Sequence, residues 1–204
     1  IPRNPFAQFH LPRNVKEREY LTEDELKQVM THKFEDAELA FIRDIFVFAS
    51  FTALSFVDIQ ELTTDKIVEV NGDKWIIGKR HKTGIPYQVK LMNIPLQIME
   101  RYKHLQEDKL VFGKINYWTV CKKIKTVMAE CGIKKSISMH CARHGYATLA
   151  LSKGVPIESV SSVLGHTNII TTQIYAKITD QKLDTDLTML SDKLNASFSN
   201  IKIS

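Results

Sequence analysis

The dipeptide Asn71-Gly72 constrains the fold of this chain more than any other short feature. It separates two β-rich runs, 66–70 and 74–78. Asn-Gly is the pair most favoured in a two-residue hairpin turn, because both central residues of that turn need a positive φ. A third run, 87–91, is also rich in strand-forming residues. The sequence therefore predicts a small antiparallel sheet of three strands.

The remainder of the sequence has helical patterns. Thr22 and Glu25 have the spacing of a capping box, and the apolar residues of 39–49 suit a largely buried helix. Gly154 and Gly165 stand where helix ends need a residue that tolerates positive φ. The predicted later helices are 95–105, 117–131, 139–153, 156–164, 168–178 and 181–195. The predicted fold is mainly α with a three-stranded antiparallel sheet inserted between helices.

Composition narrows the class of protein. With 204 residues and 44% hydrophobic residues, the chain is long enough for one substantial core. A net charge of +5 favours a polyanionic partner. Cys121, Cys131 and Cys141 form no Cys-x-x-Cys pair, so neither a disulfide framework nor a thiolate metal site is indicated. No apolar run approaches the roughly 18–20 residues that span a bilayer. We expect a cytoplasmic protein that is not bound to a membrane.

The two ends of the chain differ from its middle. Residues 1–19 are rich in Pro, Arg and Asn without a clear period, and the chain begins with Ile1 rather than Met. We interpret this segment as an interdomain linker left from a longer polypeptide, followed by one catalytic domain over 20–180. The segment 181–204 is predicted to form a C-terminal helix and tail. Its apolar stripe consists of Leu183, Leu187, Leu190 and Leu194.

One group of residues points to chemistry. Ser138 can cap a helix that places His140 and Arg143 on one face, at i, i+3 spacing. His166 follows in a corner between two predicted helices, and Tyr175 comes nine residues after it. Each piece alone is common, whereas the combined pattern is specific.

This pattern resembles the tyrosine recombinase or phage integrase family, and the segment 20–26 is similar to the start of that family's catalytic domain. The resemblance implies that the chain cuts and rejoins DNA through a 3′-phosphotyrosine formed by Tyr175, without a metal or cofactor. Arg143 and His166 would donate hydrogen bonds to the phosphate oxygens, and His140 would help to remove the tyrosine proton. Lys82, on the hairpin, would protonate the departing 5′ oxygen.

The first arginine of the family's pattern is missing. Most members end a helix in Thr-Gly-Leu-Arg, whereas this chain has Ser55 at the arginine position. A serine hydroxyl cannot make a charged bidentate contact with a phosphate. The chain is similar in this respect to conjugative-transposon integrases with serine at that place, which implies a mobile-element integrase. Arg80 is a candidate substitute, because residues 80 and 82 of an extended strand would share one face. Alternatively, Arg80 is a solvated or DNA-backbone arginine.

The expected partners are double-stranded DNA and other recombinase protomers in a synaptic tetramer. The candidate contacts to DNA phosphates are Lys79, Lys122, Lys123 and Lys125. The C-terminal helix would pack either on its own domain or on a neighbouring protomer.

Two other functions remain open from the sequence. The first is a recombinase-like DNA-binding protein whose chemistry lapsed when serine replaced the first arginine. The second is a metal hydrolase built on His140, His144 and His166, although the sequence lacks the glutamate of a metalloprotease motif. We expect His144 to be a structural residue that packs internally.

Overall fold

A computed structural model describes residues 19–176 and 180–199 of the chain, except the side chains of residues 180–183 and 185. The predicted linker, 1–19, therefore lies almost entirely outside the described residues. None of the described helices is both long and apolar enough to cross a membrane.

The elements alternate as the sequence predicts: helices, then a sheet, then helices. The helices are α1 Glu23–Thr31, α2 Ala37–Thr52, α3 Phe56–Gln60, α4 Asn93–Arg101, α5 Tyr117–Glu130, α6 Met139–Ser152, α7 Ile157–Leu164, α8 Ile170–Gln173 and α9 Asp180–Phe198. The strands are β1 Ile67–Val70, β2 Asp73–Lys79 and β3 Pro86–Lys90. Short 3₁₀ turns span Thr64–Lys66 and Lys103–Leu105.

The sheet confirms the prediction drawn from the Asn-Gly pair. Its three strands are antiparallel in the order β1-β2-β3. Val70 pairs with Asp73, so that Asn71 (φ 54°) and Gly72 (φ 81°) form the two-residue turn. Both positive φ values are those that this type of turn requires.

The core is centred on α2, which packs against α4, α5 and α6. Because α2 is apolar on nearly every face, it can be buried on all sides. Its fully buried side chains include Ile42, Ile45, Phe46 and Phe48. A second, smaller apolar cluster forms where the end of α2 meets α6 and α7, and the half-buried Tyr175 packs against it.

The helix predicted over 168–178 is wrong in length. Within the described residues 168–176, the helix spans Ile170–Gln173, and Tyr175 lies in the turn that follows, with its backbone N–H donating to the Thr172 carbonyl at 3.0 Å. The Asn168 side chain accepts from the Ile170 N–H at 2.9 Å. The segment 169–172 consists of β-branched residues, which weaken a helix.

The last helix, α9, begins and ends close to the predicted 181–195. Leu187, Leu190 and Leu194 are 55%, 50% and 47% exposed. This apolar stripe is therefore largely uncovered by the described part of the chain. Leu183, its predicted fourth member, has a side chain outside the described residues.

Candidate active site

Arg143 joins the ends of two helices. Its guanidinium donates to the carbonyl of Ala53 at 2.9 Å, and to the carbonyl of Leu164. Ala53 follows the last residue of α2, and Leu164 is the last residue of α7. The carbonyl end of a helix carries partial negative charge, so a cation is stabilised there. Arg143 is thereby fixed at the corner where α2, α6 and α7 meet.

Arg80 reaches the same corner from the hairpin. Its side chain is 6% exposed, with Nη1 donating to the Asp58 carboxylate at 2.8 Å and Nη2 donating to the carbonyl of Val163. The guanidinium lies over the Tyr87 ring, 4.1 Å from its centroid. Gly165 allows this approach, because a Cβ atom there would come within 2.9 Å of Arg80 Cγ. The prediction of a solvated Arg80 is therefore wrong.

The expectation that Arg80 and Lys82 share one strand face is also wrong. Strand β2 ends at Lys79, and a turn closes with the Arg80 N–H donating to the Ile85 carbonyl at 2.8 Å. Gly84 N–H donates back to the Arg80 carbonyl at 2.7 Å. This turn directs Arg80 inward and leaves Lys82 exposed.

The two guanidiniums are close enough to influence each other. Burial, together with the charge of Arg80, lowers the pKa of Arg143 to about 10, against the opposing effects of Tyr175 and Asp58. His166 has its pKa lowered to about 4 by burial and by the charges of Arg143, Arg80 and His140. Arg80 and Arg143 donate to the successive carbonyls of Val163 and Leu164, and His166 follows two residues later. We call this place, with Arg80, Arg143 and His166, the electropositive corner.

The remaining members of the site are aromatic or hydroxylic. His166 shares a hydrogen bond between Nδ1 and the buried Thr172 Oγ1, 2.9 Å apart. His144 is buried, as predicted, and its ring packs edge-on against both the Tyr175 ring (4.9 Å between centroids) and the His140 ring (4.8 Å). His144 therefore lies between Tyr175 and His140 in a row of three rings.

The lysines predicted to contact DNA differ in their surroundings. Lys79, Lys122 and Lys125 are exposed, whereas Lys123 forms ion pairs with Asp36 and Glu38 near the start of α2. Within the part of the chain that the structure describes, no three His, Cys, Asp or Glu side chains are grouped as a possible metal site.

Comparison with known proteins shows the family of this chain. The sequence profile of the phage integrase family matches residues 19–182. The chain belongs to this family. A tyrosine recombinase from Thermosipho africanus is 32% identical over 189 residues, which are 89% of this chain and 65% of that protein. The tyrosine recombinase XerA from Pyrococcus horikoshii is 28% identical over 192 residues, or 89% of this chain and 62% of that protein. The chain thus spans less than two thirds of these relatives' lengths.

Solved structures of the phage integrase family share the fold. The XerA recombinase superposes with a TM-score of 0.67 at 23% identity, over 88% of this chain and 65% of that one. The Tn1549 transposon integrase in complex with transposon right end DNA gives a TM-score of 0.72 at 15% identity, over 94% and 72% of the two chains. The predicted mainly helical fold with a small antiparallel sheet is confirmed by these structures.

Asp58 is a member of the site that the sequence did not single out. Its carboxylate accepts from Arg80, from the Ser55 hydroxyl at 2.8 Å and from the His81 N–H at 3.0 Å. Burial alone would raise the pKa of Asp58, but the His81 and Arg80 hydrogen bonds outweigh it and lower that pKa. Ser55 caps α3 in a capping box with Asp58. The Ser-x-x-Asp spacing was the available signal.

Tyr87 was missed as well, and for it the sequence offers no comparable signal. Its inward position follows from strand alternation, but its contact with Arg80 depends on a neighbouring turn. Burial raises the pKa of Tyr87 to about 12, so the ring is neutral and remains a good partner for a cation.

Proposed function

We propose that this chain is the catalytic part of a site-specific tyrosine recombinase that cleaves and rejoins DNA strands. The observation that carries the proposal is that Arg143, His166 and Tyr175 come together from three separate segments. Arg143 donates to the Leu164 carbonyl two residues before His166, and Tyr175 packs on His144 of the helix that carries Arg143. A transferring phosphoryl group spreads negative charge over its oxygens, and fixed cationic donors stabilise that charge.

The proposed step is a direct displacement at phosphorus. The Tyr175 oxygen attacks, the bond from phosphorus to the 5′ oxygen breaks, and a 3′-phosphotyrosine forms. His140 takes the tyrosine proton, while Lys82 supplies one to the departing 5′ oxygen. A 5′ hydroxyl from a partner strand reverses both transfers. Because the phosphodiester is exchanged for a phosphotyrosyl ester, no external energy source or cofactor is required.

The main experiment uses a nicked suicide duplex that carries the recognition site. We expect a covalent protein–DNA adduct to form in EDTA and to be absent in Tyr175→Phe. An adduct that persists in Tyr175→Phe would refute the assignment of the nucleophile. Tyr20→Phe is the control, because it removes the hydroxyl of an exposed tyrosine outside the proposed chemistry.

Arg80 is proposed to supply the charge that the first arginine supplies in most of the family. Support comes from its electrostatic effect on Arg143 and His166. Support also comes from Arg80 Nε, which among the described residues is the one buried side-chain nitrogen or oxygen without a hydrogen-bond partner. Such an unpaired donor is unfavourable by about 1–3 kcal/mol, and a shift of Arg80 that brings this nitrogen to a phosphate oxygen would recover that energy.

A neutral phosphate analogue tests the role of Arg80. A methylphosphonate at the scissile position carries no charge, so its transfer needs less cationic stabilisation. We expect Arg80→Ala to abolish adduct formation on a normal phosphate and to regain part of it on the methylphosphonate. Equal loss on both substrates would instead assign Arg80 a structural role. Lys74→Ala, on the same strand β2 but exposed and not among the proposed DNA contacts, is the control.

Lys82 is proposed as the general acid, although in the free chain it is exposed on the turn. A 5′-bridging phosphorothiolate leaves as a thiolate and needs no proton. Lys82→Ala should therefore fail on the ordinary substrate and cleave the sulfur-containing one at a rate close to that of the unaltered chain. Failure on both substrates would remove Lys82 from the acid role.

A biological role follows from the recombinase proposal. We infer a cytoplasmic integrase of a mobile element, acting on double-stranded DNA as a synaptic tetramer. The exposed stripe of α9 supports packing on a neighbouring protomer rather than on its own domain. Exposed Lys79, Lys122 and Lys125 are available to DNA phosphates.

A lapsed recombinase that only binds DNA is the second candidate. It is favoured by one observation: both guanidiniums already donate to main-chain carbonyls, and Ser55 is turned towards Asp58. It predicts binding of the suicide duplex without adduct under every condition. The methylphosphonate duplex decides between the two candidates, because even weak Tyr175-dependent adduct on it excludes a lapsed site.

A further inference from the structure

The ring of His166 is held at one of its two nitrogens. Its backbone N–H donates to the Ser161 carbonyl at 3.1 Å, directly after Gly165 ends α7 with a positive φ of 62°. The ring then has Nδ1 2.9 Å from the hydroxyl oxygen of Thr172, a residue that is 0% exposed. Within the part of the chain that the structure describes, Nε2 makes no hydrogen bond. Nε2 is therefore the ring nitrogen that remains available to a substrate.

The Thr172 hydroxyl can place its proton in one direction. Among the described residues, its one hydrogen-bond partner is the His166 ring. A threonine hydroxyl carries a single proton, and a buried donor without an acceptor is unfavourable. The hydroxyl therefore donates to Nδ1 of His166, and Nδ1 accepts.

The direction of this hydrogen bond fixes the proton on the His166 ring. A neutral imidazole has one N–H group and one bare nitrogen, so a ring that accepts at Nδ1 carries its proton on Nε2. The opposite tautomer would leave the buried Thr172 proton without an acceptor, and so would the charged ring, which has protons on both nitrogens. Burial and the neighbouring cations also lower the pKa of His166 to about 4, which agrees with a neutral ring at pH 7.

We propose that Thr172 is a positioning residue that keeps His166 neutral with its proton on Nε2, so that this nitrogen donates to the scissile phosphate. A neutral donor adds a directed hydrogen bond without adding a third positive charge beside Arg80 and Arg143. The Thr172 carbonyl also accepts the Tyr175 N–H at 3.0 Å. Thr172 thus contacts His166 through its side chain and Tyr175 through its main chain. The inference rests on the proposed function in taking a phosphate as the acceptor of the Nε2 proton.

NMR of the His166 ring tests the tautomer directly. The chain has seven histidines. With their ring nitrogens labelled with ¹⁵N, long-range proton–nitrogen correlation at pH 7 separates protonated from bare nitrogens, and His166→Gln identifies the His166 signals by their loss. We expect a protonated Nε2 and a bare, hydrogen-bonded Nδ1. A proton on Nδ1 in the unaltered chain would overturn the proposal, and this measurement does not depend on a variant that must fold.

Variants of Thr172 separate the hydroxyl from the shape of the side chain. Thr172→Val keeps the branched shape, so its Nδ1 signal should move towards that of a nitrogen without a hydrogen bond, and adduct formation on the suicide duplex should slow roughly tenfold or more. Thr172→Ser keeps the hydroxyl and should restore the signal and most of the rate. Thr171→Val, one residue earlier and exposed, is the matched control for the loss of a hydroxyl. An unmoved Nδ1 signal in Thr172→Val would contradict the assignment.

A double variant distinguishes positioning of His166 from a general packing role. In a His166→Gln background, Thr172→Val should have no further effect on the rate of adduct formation, because its influence passes through the imidazole. The loss in the midpoint of thermal unfolding, by contrast, reports packing and is measured for each variant. A further fall in rate in the double variant would show that Thr172 acts independently of His166.

The NMR results are separable from the recombinase proposal, because they need neither DNA nor cleavage. If the proton lies on Nε2 and Thr172→Val moves the Nδ1 signal, but no adduct ever forms, the proposed chemistry fails and the role of Thr172 in setting the tautomer stands. If Tyr175-dependent adducts form while the His166 proton lies on Nδ1, the Thr172 inference fails alone.

Discussion

At the scale of single residues, Arg80 is the most informative side chain. The sequence suggested Arg80 because residues 80 and 82 of one strand would share a face. In the structure, β2 ends at Lys79, so these two residues are not in a strand. Arg80 reaches the site because a turn directs it inward, where Asp58, Tyr87 and the Val163 carbonyl hold it. Turn geometry and the approach of a distant glycine are tertiary features, so neither could be read from local spacing.

The Tyr87 ring should position Arg80. Tyr87→Phe keeps the ring face and should leave adduct formation nearly unchanged, whereas Tyr87→Leu removes a buried cation–π contact of about 2 kcal/mol. We expect the leucine variant to slow adduct formation. In an Arg80→Ala background it should have no further effect on the rate, since its influence passes through the arginine. An additional loss in the double variant would show an independent role for Tyr87.

The His166 imidazole should report on both arginines. Its pKa of about 4 lies below the ordinary 6.5 because of burial and the neighbouring cations. Arg80→Gln should raise that pKa in the free chain, and duplex binding should raise it too, since a phosphate offsets the same charges. NMR titration of the imidazole nitrogens measures both shifts. An unmoved pKa in Arg80→Gln would show that the two groups are not coupled.

The same pKa sets a direction for stability. Between pH 6.5 and about 4 the unfolded chain binds a proton at His166 that the folded chain does not. The contribution of a neutral His166 is therefore fully present above pH 6.5 and is lost as the pH falls towards 4. His166→Gln should flatten this part of the unfolding profile.

At the scale of elements, the hairpin was predictable and the helix before Tyr175 was not. Asn71-Gly72 acts locally, because positive φ at adjacent positions is enough to specify the turn. Helix α8, by contrast, is shorter than its pattern predicts, because β-branched residues weaken it. The site residues of the family pattern could be listed from sequence, but their convergence depends on the packing of α2, α6 and α7.

The end of α7 offers a paired test. Gly165 and Gly154 both have positive φ, 62° and 84°, so alanine at either should destabilise the fold by roughly 1–2 kcal/mol. Only Gly165 faces Arg80, since nothing lies within 4 Å of a Cβ at Gly154. Urea unfolding should show a larger loss for Gly165→Ala than for Gly154→Ala, because only the first also displaces the buried Arg80 from Asp58. Adduct formation should fall about a hundredfold in Gly165→Ala alone, as expected for a displaced charge.

Equal activity losses in the two glycine variants would contradict this expectation. They would show that the effect comes from backbone strain and not from the Arg80 contact. Arg80→Ala combined with Gly165→Ala should restore the room that the added methyl group occupies, but not the activity.

At the scale of the whole molecule, none of the described side chains of α9 belongs to the principal core cluster. Its apolar side chains are about half exposed, and the principal core cluster is built from 21–142. Truncation after Ala176 should leave the midpoint of thermal unfolding nearly unchanged. It should reduce the assembly of several protomers on DNA, measured by sedimentation of the complex.

A large loss of thermal stability on truncation would instead indicate that α9 packs on its own domain in solution. Leu187→Lys and Leu194→Lys provide gentler variants, because each places a charge on the exposed stripe without removing the helix. Thr188→Lys, exposed on the same helix but outside the stripe, controls for the change in net charge.

The carbonyls that hold the two arginines have a consequence for selectivity. Ala53, Val163 and Leu164 already occupy guanidinium donors at the ends of α2 and α7. A free anion would have to compete with these carbonyls using only its own charge. A phosphate within a duplex arrives with its neighbours bound elsewhere, so its effective concentration at the corner is far higher. We therefore expect cellular inorganic phosphate and nucleotides to be poor inhibitors. The proposed DNA site would then stay available in the presence of abundant small anions.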